Sequence, residues 1–186
     1  FPERLTPLLE STIFHEWWPA NRWARRYLMI GAGRPDSGSR DISDEVDWIV
    51  GAALMARRTA IERVGGFDES FRMYSEEVEW CWRLRRHGWR VAHVPSVEIT
   101  HHEGASTRQD VYLRQIDFDA SRVRLARVIY GPLTAEVVRA GLLTGYGLQL
   151  LRESAKWLLG HKRAQRRRRA ALYWRGLRSG LRERET

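Results

Sequence analysis

Glu76, Glu77 and Glu79 stand close together in the chain, and His101 and His102 follow further along. A carboxylate can take a proton from a hydroxyl group, and an imidazole can hold a metal or carry a proton. Brought to one place, the two groups could serve as a base, a metal site or both. Glutamates at a helix start also do something plainer, which is to complement the helix dipole on a solvated face. The surroundings therefore decide between the two. A turn-forming, aromatic stretch over residues 65–74 leads directly into the acids, and Gly104 and Ser106 lie just beyond the histidines. Cys81 is the single cysteine, so an internal disulfide and a cysteine-based metal site are both excluded, and a reducing compartment fits.

The elements that must position these groups alternate. Residues 47–56 form an apolar run with small residues in its middle, which predicts a buried strand in which Gly51 allows a close approach to the backbone. Residues 57–64 read as a short helix stopped by Gly65 and Gly66. A second helix is predicted from about Glu76 to His87, with Ser75 as N-cap, acids in the first turn, Arg83, Arg85 and Arg86 near the end, and Gly88 as the stop. Val78, Cys81, Trp82 and Arg85 fall on one stripe of it, with Cys81 and Trp82 expected in the core. Residues 89–94 and 97–101 are β-prone and flank a bend at Pro95 and Ser96. This order predicts an α/β fold, in which strand ends and helix starts meet at the edge where ligands bind.

Charge separates the chain into unlike parts. Residues 1–106 carry 14 Lys and Arg against 16 Asp and Glu, whereas residues 107–186 carry 18 against 7. The first 46 residues are rich in Trp, Arg and Pro and include a loop-like stretch at 31–39. From Gln109 onward the pattern is helical, broken at Gly131-Pro132 and loosened at Gly141, Gly145, Gly147 and Gly160. Residues 162–184, with four consecutive arginines at 166–169 followed by Leu172, Tyr173, Trp174 and Leu177, read as a basic amphipathic helix. The longest apolar run, 140–151, is shorter than the roughly 20 residues a membrane-spanning helix needs. No internal repeat is evident. Domain boundaries follow as 1–106 and a helical, basic extension over 107–186.

Five stretches in order carry a family likeness: 46–54, Arg57-Arg58, 64–71, 74–95 and 101–106, the fourth opening Tyr-Ser-Glu-Glu-Val-Glu-Trp-Cys-Trp-Arg-Leu-Arg-Arg-His-Gly-Trp. Together they resemble the acceptor-side, C-terminal half of family 2 inverting glycosyltransferases with a GT-A fold, rhamnosyltransferase-like members above all. The resemblance implies short mixed strands and helices, followed here by the basic helical tail. It also implies transfer of a sugar from a nucleotide-sugar donor to a saccharide or lipid-linked acceptor, as in polysaccharide and cell-envelope synthesis. Such inversion is a single displacement that needs one base and a cation for the leaving diphosphate. The resemblance places the base on Glu77, where many members have Asp, and the ligand of a divalent metal, Mg or Mn, on His101 rather than His102. It sets Trp48, Gly51, Asp68 and Glu76 near the acceptor cleft.

No cofactor-binding residues are implied, and no βα repeat with its acidic metal-holding motif precedes Phe1-Pro2. The chain is accordingly expected to be a fragment lacking the donor-binding half and inactive alone. Asp117-Phe118-Asp119 has that motif's literal pattern but lies in a helical region after the histidines, and reads as coincidence. The expected location is cytoplasmic, with the basic tail docking onto an anionic membrane surface at the inner face of the cell membrane.

Two other functions compete with this one. The run 166–169 beside Tyr173 and Trp174 combines charge with stacking surface, as a basic nucleic-acid-binding module would. The acidic first half and the absence of a nucleic-acid motif count against it. A glycosidase needs two opposed carboxylates, and Glu76 and Glu77 are neighbours.

Overall fold

The computed structural model describes residues 45–94, 96–101, 111–160 and 162–182. Five helices are present among them: α1 (Arg58–Val64), α2 (Glu76–Arg86), α3 (Val111–Tyr130), α4 (Pro132–Leu158) and α5 (Arg163–Ser179). The expected strands are the main correction. Residues 47–56 form turns and irregular backbone with Gly51, Ala52 and Ala53 exposed, and 97–101 has no regular secondary structure. Among the described residues β structure is limited to one antiparallel bridge between Glu45 and Ala92, with the Val46 N–H donating to the Val91 carbonyl at 2.9 Å. An extended segment becomes a strand only beside a second one that takes up its hydrogen bonds, and apolar character cannot supply that neighbour.

The short helices form where they were expected. Gly65, at φ +87°, ends α1 in a backbone conformation that suits glycine, and three acids open α2 while three arginines close it. Ala60 of α1 packs with Trp80 and Leu84 of α2, flanked by Leu54, Ala56, Val64 and Trp89. The buried arc of α2 comprises Val78, Glu79, Trp80, Cys81 and Leu84. It is wider than the predicted stripe because neighbours cover α2 on more than one side. Trp82, expected in the core, is only half-buried and lies under the Arg86 guanidinium, 4.9 Å from the ring centre.

The break at Gly131-Pro132 is where α3 gives way to α4, with Gly131 at φ +92° and Pro132 in the first turn. Gly141, Gly145 and Gly147 do not interrupt α4, which runs 27 residues. Among the described residues no helix is long and apolar enough to cross a membrane. α4 lies against both α3 and α5 around Ile116, Val123, Ala126, Val138, Leu142 and Tyr146, with Leu172, Tyr173 and Leu177 of α5 packed on that cluster. Trp174, predicted on the same apolar face, points outward at 57% exposure. Within this core Asp119 is fully buried. Its Oδ2 accepts from the Tyr146 hydroxyl at 2.7 Å and from Gln115 at 3.2 Å, and Arg122 approaches Oδ1 at 3.6 Å. Burial, with the Asp119 charge next, drives the Tyr146 hydroxyl pKa far upward, so it stays a neutral donor.

Gly176 allows α5 to close on this network. A Cβ there would stand 2.6 Å from Tyr146 Cε1 and 2.7 Å from Cδ1. The Tyr146 ring is held by its hydroxyl and cannot swing aside without breaking the bond to Asp119. Gly176→Ala is expected to destabilise the protein by about 1–3 kcal/mol, seen as a lower midpoint in thermal or urea unfolding. An unchanged midpoint would mean that Tyr146 does not set the spacing of α4 and α5.

Candidate functional site

The acids at the start of α2 sit on a strained turn. Tyr74 and Ser75 both have positive φ, 71° and 69°, a conformation that costs an L-residue roughly 1–2 kcal/mol. Ser75 occupies the N-cap position as expected, but in this left-handed conformation its side chain makes no cap hydrogen bond. Its carbonyl instead accepts the first helical bond, from the Glu79 N–H at 2.9 Å.

The strain is held from α3. The Ser121 hydroxyl donates to the Met73 carbonyl at 2.7 Å, and Phe118 meets the Tyr74 ring edge-on at 5.4 Å. Below the turn, Phe71 and Val78 pack on Leu125, with Trp48, Val128 and Ile129 around them. None of these α3 partners was anticipated, since Ser121 and Met73 are far apart in sequence and a serine in a helix gives no signal of a distant carbonyl.

Other side chains of α2 fasten its surroundings. Arg83 reaches the carbonyls of Val64 at 2.8 Å and Gly66 at 2.6 Å, and Trp80 Nε1 donates to Gly65 at 2.8 Å, so the orphan carbonyls at the end of α1 are met. Glu79 is buried and binds Arg83 Nε at 2.6 Å, which makes it a structural acid. Arg85 donates to the Val46 carbonyl at 2.8 Å and lies 3.5 Å from Asp47, drawing the 45–51 segment onto the helix.

That leaves Glu76 and Glu77. One oxygen of each, Oε2, is buried with no hydrogen-bond partner among the described residues, as is Oε2 of Glu79, whose other oxygen holds Arg83. Gly51 faces the Glu77 stem, at a distance where an added Cβ would be 3.7 Å from the Glu77 Cβ. One helical turn on, the Cys81 thiol is buried. Desolvation pushes its pKa up, and the Glu77 charge adds to the rise, against a hydrogen bond from the Ile49 backbone and the charge of Arg85. Desolvation likewise raises the Glu77 pKa above its ordinary 4.5, and the Glu76 charge adds to this, against a hydrogen bond from its own backbone. A carboxylate with one unsolvated, unpaired oxygen and a raised pKa is a better proton acceptor than a surface glutamate.

The remaining residues singled out from the sequence fall elsewhere. Trp48 is part of the Phe71–Val78–Leu125 packing. Asp68 closes the turn before Phe71, accepting from the Ser70 N–H at 3.0 Å and the Ser70 hydroxyl, with Arg124 at 3.5 Å. Its burial would raise its pKa, but the two Ser70 bonds and Arg124 together hold it below its ordinary value. His101 is exposed at the end of a described segment, and His102 lies outside the described residues. Among the described residues no group of three or more His, Cys, Asp and Glu could hold a metal. They supply no donor set, so no step can be drawn through one. Asp119 belongs to the helical core, and Asp117 lies 3.8 Å from Arg72.

The raised Glu77 pKa has a sign that can be checked. The folded state binds this proton more tightly than the unfolded chain, so Glu77 ionisation costs stability as pH rises above 4.5. Glu77→Gln is therefore expected to melt higher than the parent protein at pH 7 to 8, with the difference shrinking toward pH 4. A difference that does not change with pH would show Glu77 to be solvated like an ordinary glutamate.

The family model described as Glycosyl transferase family group 2 matches residues 35–181. Over 93 residues, half of this chain and 28% of the relative, the chain is 39% identical to an N-acetylglucosaminyl-diphospho-decaprenol L-rhamnosyltransferase of Mycobacterium tuberculosis. It is 36% identical over 84 residues, 42% of the chain and 32% of the relative, to the rhamnosyltransferase WbbL of Escherichia coli. A pre-mycofactocin glycosyltransferase of Mycobacterium tuberculosis is 35% identical over 97 residues, 52% of the chain and 20% of the relative. The chain thus spans less than a third of the length of these curated relatives, and no solved structure matches it. Nothing in these relationships supports the nucleic-acid-binding alternative. The match over 35–181 encompasses the strained turn, the acids of α2 and the helices that brace them, and the chain belongs to glycosyl transferase family group 2.

Proposed function

We propose that this chain provides the acceptor side of an inverting sugar transferase in which Glu77 is the base. The observation that carries the reading is the Glu77 carboxylate, whose Oε2 is buried and unpartnered among the described residues beside Gly51 on a helix start held in place from α3. In this reading Glu77 accepts the proton of the acceptor hydroxyl. The acceptor oxygen then forms a bond to the anomeric carbon of the donor sugar from the face opposite the leaving group. The bond from that carbon to the nucleoside diphosphate breaks, and its electron pair stays on the diphosphate. Inversion follows because one displacement occurs.

Glu76, Gly51, Trp48 and Asp68 are proposed to border the acceptor cleft, the first two beside the base and the last two by holding the 45–51 segment and the turn before α2. Residues 1–106 would form the acceptor side and 107–186 the helical, basic part that braces it. The acceptor class is a saccharide or lipid-linked saccharide, in line with a relative named for a diphospho-decaprenol acceptor. The donor is a nucleotide sugar. The divalent ion, Mg or Mn, is assigned no step, and His101 is its proposed ligand.

In the gene product at its full natural length, Glu77→Gln is expected to lower kcat at least about 100-fold, the scale of a lost general base, while circular dichroism stays unchanged. His101→Ala is expected to raise the divalent-ion concentration needed for half-maximal activity, and His102→Ala to leave it in place. Near-full turnover in Glu77→Gln would remove that residue from the role.

Peripheral attachment to an anionic membrane is proposed for the basic tail, where each Lys or Arg near the surface contributes about 1 kcal/mol. Deleting 162–186 should abolish co-sedimentation with anionic vesicles, and sedimentation that survives the deletion would place membrane contact elsewhere.

A further inference from the structure

Between α4 and α5 lies a cleft of about 430 Å³ lined by Arg152, Lys156, Arg166 and Arg169, with Glu153 as the one carboxylate. That volume falls in the range of small-molecule sites, roughly 300–1,000 Å³. Glu153 is 2% exposed and accepts from Arg166 Nη1 through both oxygens, at 2.9 and 2.7 Å, with Arg169 4.0 Å away. A structural bridge tying α5 to α4 would account for the Glu153–Arg166 pair. It does not account for the convergence of Arg152, Lys156 and Arg169 on the same cleft, where cationic charge exceeds the single carboxylate. Concentrated like charge in a cleft is relieved by an anion.

We propose that this cleft is a binding site for a phosphate group, a diphosphate above all. Glu153 fixes Arg166 in the wall, and Arg152, Lys156 and Arg169 converge on the tetrahedral anion from both helices. Guanidinium groups suit phosphate oxygens because planar forks can donate two parallel hydrogen bonds. Such a phosphate could be free in solution or be carried by a lipid headgroup, and the recognition chemistry is the same. The inference does not depend on the transfer reaction or on Glu77.

Calorimetric titration of the chain with inorganic pyrophosphate at low ionic strength tests it. Saturable binding is expected, weakened about tenfold or more in the double variant Lys156→Gln/Arg169→Gln, as loss of charge-assisted contacts to an anion requires. That variant leaves the Glu153–Arg166 bridge intact, and a thermal melt confirms that it folds. The control Arg175→Gln/Arg178→Gln removes equal charge from α5 outside the cleft and should change binding less than about twofold. Vesicles of phosphatidylcholine with phosphatidylglycerol separate the sources. Vesicle binding that pyrophosphate displaces, and that the cleft variant weakens, assigns the site to a headgroup. Saturable pyrophosphate binding that vesicles leave unchanged assigns it to a soluble phosphate. Absence of saturable pyrophosphate binding, or equal loss in both double variants, overturns the site and leaves only diffuse basic charge.

Discussion

The arrangement of the candidate site depends on α3 lying across the turn that begins α2. Two consecutive left-handed residues, Tyr74 and Ser75, would relax in an isolated peptide, because nothing local repays the contact between Cβ and the following carbonyl. Here the Ser121 hydroxyl on the Met73 carbonyl, Phe118 on Tyr74 and the Phe71–Val78–Leu125 packing hold them. Arg124 adds a second tie, ion-paired with Asp68 and lying over the Phe71 ring at 5.1 Å. The direction in which Glu76 and Glu77 leave the backbone is a consequence of that clamp.

A rigid brace is in turn required for α3 itself. Its fully buried Asp119 is tolerable only because Tyr146, Gln115 and Arg122 surround the carboxylate, a buried charge without such partners being strongly unfavourable. Tyr146 can reach Asp119 while α5 closes over it only because residue 176 has no side chain. The helical core and the acidic helix start are therefore linked through the two faces of one helix, with Asp119 on the inner face and Phe118 and Ser121 meeting the turn.

The contrast among the three acids of α2 shows how little residue type says about role. Glu79 is buried and paired with Arg83, whose guanidinium reaches the Val64 and Gly66 carbonyls at the end of α1. Glu77, two positions earlier, shares with Glu79 a buried Oε2 without a partner among the described residues but has a raised pKa that desolvation dominates. The same side chain becomes a structural anchor or a candidate base according to whether a cation stands within reach.

Much of this was legible in the residues themselves. Glycines and proline marked where α1 ends and α4 begins, because positive φ and a missing N–H are properties of single residues. Acids before arginines marked α2, since the dipole acts within one element, and the family likeness of residues 46–106 agreed with the family match. What the residues could not determine depended on neighbours distant in sequence. Whether 47–56 pairs as a strand, whether Trp80 or Trp82 turns inward, and which glutamate loses its water are set by what packs alongside. Hydrogen-bond partners and desolvation come from other segments of the chain, and no local pattern encodes them. Sequence alone determined which groups could do chemistry and roughly where the helices begin and end, whereas tertiary structure decided which group is desolvated and held in place to do it.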